Sequence, residues 1–407
     1  MAKFKKYTYL ILLLIIASSC IETFEFKTAS FDANLVVRAI ITNELKQHTV
    51  ELSRTIPIDS TKLDPERNAI VSITNDAGEM YNFQETQDGI YTSNVDFAIL
   101  PNIAYTLNIE TQDGNTYNST PETLPKTSTI QDLEVSVQEN DIDQIKEVVI
   151  KANSNTSGNE GQYYRYAYEE TFKVKTAVWS PKKLVILSNT PPYSFELVDK
   201  DPNIDGIGFC YGTLNSKNIL LTETLTLAQD QIIGFPIRKI PIDNYIVGIR
   251  YSILVKQYVI NQNTYDFYTL LNTFSNPDNI FSQTQVGNIP SNISSTTNPT
   301  EDKVIGFFEV SSIATERIFF NRNEIADTFT GFNNYVSLAD CTERPNPFIT
   351  GPFGNSPLLD LLLNGWIYQS PPDTPIIPPE RPYALTVKPC GDCTHIGAPI
   401  PPSFWVE

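Results

Sequence analysis

Apolar and polar positions along the chain recur mostly at the short period of β-strands. Residues 35–42, LVVRAIIT, form an apolar strand-like run, and 49–54, TVELSR, alternate. Val71–Thr74 and Tyr81–Gln84 flank Asn75-Asp76-Ala77-Gly78, and Thr106–Thr111 and Thr116–Asn118 flank Asp113-Gly114. Both intervening stretches read as hairpin turns, the second more strongly, because Gly accepts positive φ without a Cβ clash. Short strands at this spacing predict an immunoglobulin-like sandwich over 34–122. Pro121-Glu122-Thr123-Leu124-Pro125 reads as a linker into a second β-rich, sandwich-like domain over 127–340. Its strand candidates are Glu147–Ala152, Tyr163–Lys175, Leu184–Leu187, Ile219–Thr226, Tyr251–Ile260, Val304–Ser311 and Arg317–Phe320.

Two segments break the strand period. In 263–272, NTYDFYTLLN, Phe267, Leu270, Leu271 and Phe274 fall on one face of a helix that Asn263 or Thr264 can cap. In 356–365, SPLLDLLLNG, Ser356 suits the cap, Pro357 the first helical position and Gly365 the stop. Around that second helix, residues 341–407 hold fourteen of the 28 prolines. Proline removes ladder donors, so this stretch is predicted to wrap the body as extended loop. The fold class predicted is therefore all-β: two sandwich-like domains, a short helix and a Pro-rich, disulfide-clasped C-terminal wrap.

The N-terminus carries a different pattern. Met1–Lys6 is basic, and the thirteen residues Tyr7–Ser19 are apolar or small. A spanning helix needs ~20 residues, so this run is too short to cross and reads as an export signal. Ala17-Ser18-Ser19-Cys20 follows, with small residues at the cut and a thiol to take the lipid; Ala17 stands where such motifs usually carry Leu. The reading is a signal peptide over 1–19, lipidation at Cys20 and a tether over 20–33. More than one acyl chain gives stable anchoring where one is marginal. Ile21 rather than Asp follows the cysteine, which favours the outer membrane, and Glu22 and Glu25 lean towards the cell surface.

Charge narrows the partners. The formal charge is −18, and a chain starting at Cys20 loses Lys3, Lys5 and Lys6 and reaches −21. Such a surface repels nucleic acid and anionic lipid alike. Four cysteines remain after lipidation, Cys210, Cys341, Cys390 and Cys393, and export favours disulfides among them. Three connectivities are open; a bridge from Cys341 to Cys390 or Cys393 would clasp the wrap. A redox role for Cys390-x-x-Cys393 needs a helix start in an α/β fold, and an all-cysteine zinc site needs a second CxxC.

Asp201, Asn203 and Asp205, followed by Gly206, resemble the first half of a calcium loop, with oxygens at alternate positions. The last position of a full loop would be Gly212 rather than Glu, and the alternative is a polar Asx-rich turn. Calcium is the one cofactor candidate. Glu169 and Glu170 are neighbours whose side chains leave a strand on opposite faces. His48 and His395 are isolated from any triad pattern, so no catalytic residue is assigned. Asp59-Ser60-Thr61 fits a loose O-glycosylation pattern. Tyr163, Tyr164, Tyr166, Tyr168 and Phe172, with Phe307 and Phe308, read as core or as a stacking surface for sugar or peptide.

The chain resembles the Bacteroidetes lipoprotein family known as domain of unknown function 4249. The resemblance is carried by LVVRAIIT (35–42), VELSRT (50–55), YTLNIETQDGNTYNSTPE (105–122), YYRYAYEETFKV (163–174), YSILVKQY (251–258), VIGFFEVSS (304–312) and the close PCGDCTHIGAPIPPSFW (389–405). Ala39 departs from a glycine frequent near that position. The resemblance implies an outer-membrane accessory protein that works beside a TonB-dependent transporter, without implying a catalytic residue. The expectation is a non-catalytic, lipid-anchored binding protein at the cell surface; the alternative is a glycan- or peptide-binding module.

Overall fold

The computed structural model describes residues 33–407 apart from 58–59, 61–63, 141, 143, 156–161, 276–289, 301, 326–334, 337–340, 374–376 and 378. Cys20, the signal and tether, and Asp59 and Thr61 of the glycosylation pattern lie outside the described residues. The fold is all-β, 49% strand and 9% helix. Among the described residues no helix is long and apolar enough to cross a membrane.

The first third of the chain supplies β1 (Leu35–Thr42), β2 (Thr49–Arg54), β3 (Asp64–Pro65), β4 (Ile70–Asn75), β5 (Met80–Gln87), β6 (Ile90–Ser93), β7 (Ala104–Glu110), β8 (Thr116–Ser119) and β9 (Glu122–Thr123). The middle supplies β10 (Thr129–Glu139), β11 (Lys146–Asn155), β12 (Tyr163–Thr176), β13 (Lys182–Ser188), β14 (Ser194–Asp199), β15 (Phe209–Asn215), β16 (Leu220–Glu223), β17 (Gln231–Pro241) and β18 (Arg250–Ile260). Helix α1 (Gln262–Ser275) precedes β19 (Ile293–Ser295), β20 (Val304–Asn321) and β21 (Tyr335–Val336). The wrap adds helix α2 (Pro357–Leu363) and the hairpin β22 (Trp366–Ser370) with β23 (Ala384–Val387).

One sixteen-stranded sheet has twelve strands in the order β15-β12-β18-β20-β1-β2-β6-β5-β4-β7-β8-β19, with β16 and β21 paired to β12, β3 to β2 and β9 to β7 beside that path. The link between its halves is β20. Residues 304–311 of that strand pair in parallel with β1, and residues 312–321 pair antiparallel with β18. Gly306 makes the close approach possible: its φ is +122°, and a Cβ there would meet the Val37 carbonyl oxygen at 1.8 Å. Asn292, just before β19, closes the first half back on β20. Its side-chain amide donates to the Phe308 carbonyl at 3.0 Å and accepts from the Phe308 N–H at 2.9 Å, taking the place of a neighbouring strand.

Two cores result. In the first, Leu35, Val37, Ala39 and Ile41, alternate residues of β1, pack with Tyr91, Tyr105, Tyr117, Ile293, Phe308 and Val310. In the second, the three-stranded sheet β10-β11-β17 covers the β12–β18 region of the large sheet. Val148 and Ile150 meet Tyr164, Tyr166, Phe172, Ile253 and Val255 there. Residues on both sides of the expected boundary at 122–127 contribute to the first core: Ile293, Val304, Phe308 and Val310 return to it, and β20 pairs with the edge of β1 opposite β2.

The strand period also explains the polar interior. Even-numbered residues of β12 face the second core, and Glu170 among them accepts from Tyr251 Oη at 2.6 Å and from Arg238 Nε and Nη2 at 3.1 Å. Arg165, an odd-numbered residue, faces the other way, towards α1 and β20. It donates to Glu309 Oε1 at 2.8 Å and lies over the rings of Tyr258 (4.0 Å) and Tyr268 (4.9 Å). Glu309, 1% exposed, also accepts from Tyr268 Oη and Ser311 Oγ at 2.8 Å each. Burial pushes the Tyr268 hydroxyl pKa well up, and the Glu309 charge reinforces the shift.

Helix α1 presents Thr264 and Phe267 to the body, with Phe267 5.2 Å from the Phe307 ring. Its cap is Asn261, whose Oδ1 accepts from Thr264 N–H at 2.8 Å, rather than Asn263 or Thr264. In α2, Ser356 Oγ accepts from Leu359 N–H at 3.2 Å, and Pro357 opens the helix as the sequence predicts.

Glu309→Ala leaves the Arg165 guanidinium buried without its carboxylate, so it is expected to lower unfolding stability by ~3–5 kcal/mol. The double change Arg165→Met with Glu309→Leu removes both charges and is expected to cost clearly less. Denaturant midpoints of the two variants check this.

Candidate functional site

A concavity of about 530 Å³ lies between the β13–β14 hairpin, the loop after β14 and the wrap. Leu184 and Ile186 of the hairpin form one wall. Leu362, Trp366, Ile367 and Tyr368 form the other. Four lysines, Lys182, Lys183, Lys200 and Lys388, line it together with Asp205 and Asp392.

One disulfide ties the wrap to the body and a second closes the wrap on itself. Cys341 pairs with Cys390, and Cys210 of β15 pairs with Cys393. This selects one of the three possible connectivities and ties the two cysteines of the CxxC to different partners. The short helical turn Lys388–Gly391 and the following Asp392 and Thr394 are thereby fixed against the body, and they carry part of the cleft wall. Backbone bonds add to this: Val178 N–H donates to Cys390 O at 2.9 Å, and Tyr211 and Ala398 exchange two bonds at 2.8 and 3.1 Å. Gly397 is required where it passes Tyr211, since a Cβ would lie 2.1 Å from the Tyr211 carbonyl oxygen. At the chain end, Glu407 accepts from Lys173 Nζ at 2.9 Å and from Tyr211 Oη at 3.0 Å, and Trp405 packs edge-on to Tyr211.

Charge in the cleft is unevenly matched. Lys183 donates to both Asp205 oxygens at 2.9 and 2.6 Å, and Lys388 lies 3.7 Å from Asp392. Lys182 is paired outside the cleft with Asp199 at 2.7 Å. Lys200 is half-buried beside the Trp179 ring, 5.7 Å from its centre, and among the described residues it makes no salt bridge. Burial is the largest influence on it and lowers its pKa.

These contacts correct the calcium expectation. Asp201, Asn203 and Asp205 fold as a polar turn in which Asp201 Oδ1 accepts from Asn203 N–H and Asp205 Oδ2 from Asp201 N–H. The Lys183 ammonium stands on Asp205, where a cation would have to bind. Among the described residues no group of three or more metal-ligating side chains gathers.

The other sequence candidates disperse. Glu169 pairs with Arg317 at 2.9 Å on one face of β12, while Glu170 is enclosed on the other. Tyr164, Tyr166, Tyr168, Phe172, Phe307 and Phe308 are buried and build the interior, while Tyr163 is half-buried with its ring 4.8 Å from that of Tyr265. His395 is exposed. His48 is buried, with Nε2 3.0 Å from the Phe97 carbonyl oxygen and the ring tilted against Phe97 at 4.6 Å. Its Nδ1 has no hydrogen-bond partner among the described residues, and burial lowers its pKa below the usual 6.5. The cleft lysines were not visible as a group in the sequence, because Lys388 arrives from the far end of the chain.

The chain belongs to the family described as Domain of unknown function (DUF4249), which matches residues 21–317. The matched stretch covers the first core and most of the second, leaving out Phe320 and Cys393, and stops before the Pro-rich wrap. No curated protein matches the chain. Among solved structures it is similar to a tetra-tandem repeat in the extending region of a large adhesion protein, at 10% identity and a TM-score of 0.16, over 70% of this chain and 49% of that one. The chain thus spans about half the length of that solved chain, and a likeness of this size carries nothing over.

Peptide mapping without reduction is expected to recover the Cys210–Cys393 and Cys341–Cys390 links. Replacing Cys341 and Cys390 together by Ser opens the clasp and is expected to cost ~2–4 kcal/mol in a denaturant titration. A second expectation concerns acid. The unfolded chain takes up a proton on His48 near pH 6.5, whereas the folded chain does so only at lower pH. Stability is therefore expected to fall as pH drops from about 6.5 through the folded value, and His48→Gln is expected to flatten that fall. Urea midpoints on either side of this range check it.

Proposed function

We propose that the protein is a non-catalytic binding protein held to the outer membrane by lipid on Cys20, facing the cell surface and working beside an envelope partner. The observation that carries this reading is the leader: a basic front, a thirteen-residue apolar run and Ala17-Ser18-Ser19-Cys20 in succession. An apolar run of that length is removed on export rather than retained as a span. The paired cysteines support the reading, because disulfides persist in oxidising compartments outside the cytoplasm.

The structural engagement of Glu169, Glu170 and His48 supports a binding role over a catalytic one, since each already serves the fold. The partner implied by the family resemblance is a TonB-dependent barrel. Anchoring two proteins in one membrane raises their effective concentration, so a modest contact surface suffices.

Metabolic labelling with an alkyne fatty acid is expected to mark the native chain and leave Cys20→Ser unlabelled, with the variant moving to the soluble fraction. Retention of Cys20→Ser in the outer membrane at the native level would overturn the anchor. Affinity capture of the native chain from detergent-solubilised membranes is expected to bring down a barrel protein.

A further inference from the structure

We propose that the cleft between the β13–β14 hairpin and the wrap is a binding site for a small amphiphilic anion, a carboxylate head on an aliphatic or aromatic body. This inference does not depend on how the chain is anchored.

Three observations converge on that class. The volume, about 530 Å³, is in the range of pockets that enclose small molecules. The walls are apolar on both sides, with Leu184 and Ile186 facing Trp366 and Ile367, and so accept an uncharged body. The charge is positive in balance: four lysines line the cleft with two aspartates, and once Asp199, which pairs with Lys182 from outside, is counted, one positive charge remains in a chain whose formal charge is −18. A positive concavity on an acidic protein runs against the average field and attracts an anion locally.

Lys200 is the group that selects the head. Lys183 and Lys388 already face Asp205 and Asp392, so binding an anion to either disturbs a pair. Lys200 makes no salt bridge among the described residues, the charges of Asp392 and Asp205 act on it only from beyond contact, and its ammonium is partly removed from water. A carboxylate arriving there gains a charge-assisted hydrogen bond without displacing an acid. Inorganic phosphate has no apolar body, and it would leave the Leu184–Ile186 and Trp366–Ile367 walls uncovered.

The test titrates the purified full chain with 4-phenylbutanoate, 4-phenylbutan-1-ol and 4-phenylbutylammonium, followed by calorimetry and by tryptophan fluorescence, since Trp366 lines the cleft. The carboxylate is expected to bind at least ~10-fold more tightly than the alcohol or the amine, and Lys200→Gln is expected to weaken it by about 10-fold while leaving the alcohol unchanged. Lys388→Gln, which keeps the Lys200 head group, is expected to have a smaller effect. Equal affinity for acid, alcohol and amine on the native chain would overturn the proposal without relying on any variant. So would an unchanged carboxylate affinity in a Lys200→Gln chain that melts like the native one. Vesicles of phosphatidylglycerol against phosphatidylcholine separate the sources: a response to the anionic vesicles with none to the soluble carboxylate would assign the charge to a lipid surface and overturn the small-molecule site.

Discussion

The structure depends on one strand passing between two cores. β20 completes the first half through β1 and the second through β18, and at residue 309 it carries a carboxylate into the interior. Glu309 is tolerable there only because Arg165, Tyr268 and Ser311 supply donors from β12, from α1 and from β20 itself. A buried pair of this kind adds little net stability compared with a well-packed apolar replacement. Its effect is positional. Arg165 and Glu309 meet only when β12, β18 and β20 are in register, with α1 laid over them.

The wrap solves a second problem. A chain segment with half of the protein's prolines cannot hold itself by a ladder, and residues 341–407 form only a short hairpin of their own. Two disulfides, the Tyr211–Ala398 bridge and the contacts of Glu407 and Trp405 fasten it at intervals. The family match ends at residue 317, so the segment that builds one wall of the cleft lies beyond it. The shape of the concavity is accordingly a property of the wrap and the β13–β14 hairpin together.

Local features were readable in the sequence because their causes are local. The Asp113-Gly114 turn, the Ser356–Gly365 helix with its cap, the apolar run of β1 and the alternation of β2 each rest on residues within one or two turns of each other. The cap of α1 was misplaced by two or three residues, since Asn261, Asn263 and Thr264 offer similar side chains and only the backbone path separates them. Long-range choices were not readable. Nothing in LVVRAIIT names VIGFFEVS as its parallel neighbour, and nothing near Lys200 announces Lys388. The motif resembling a calcium loop failed for the same reason, because the Lys183 ammonium that occupies it comes from a different strand.

The parallel seam has a consequence for how the chain is made. Leu35 is matched to Val304 and Thr42 to Ser311, so a polypeptide emerging amino end first exposes one bare edge of its earliest strand until almost three quarters of its length has appeared. Ladders that close so late are slow to form and open to wrong partners meanwhile. Until β20 arrives, that open edge is a place where one growing copy can pair with another.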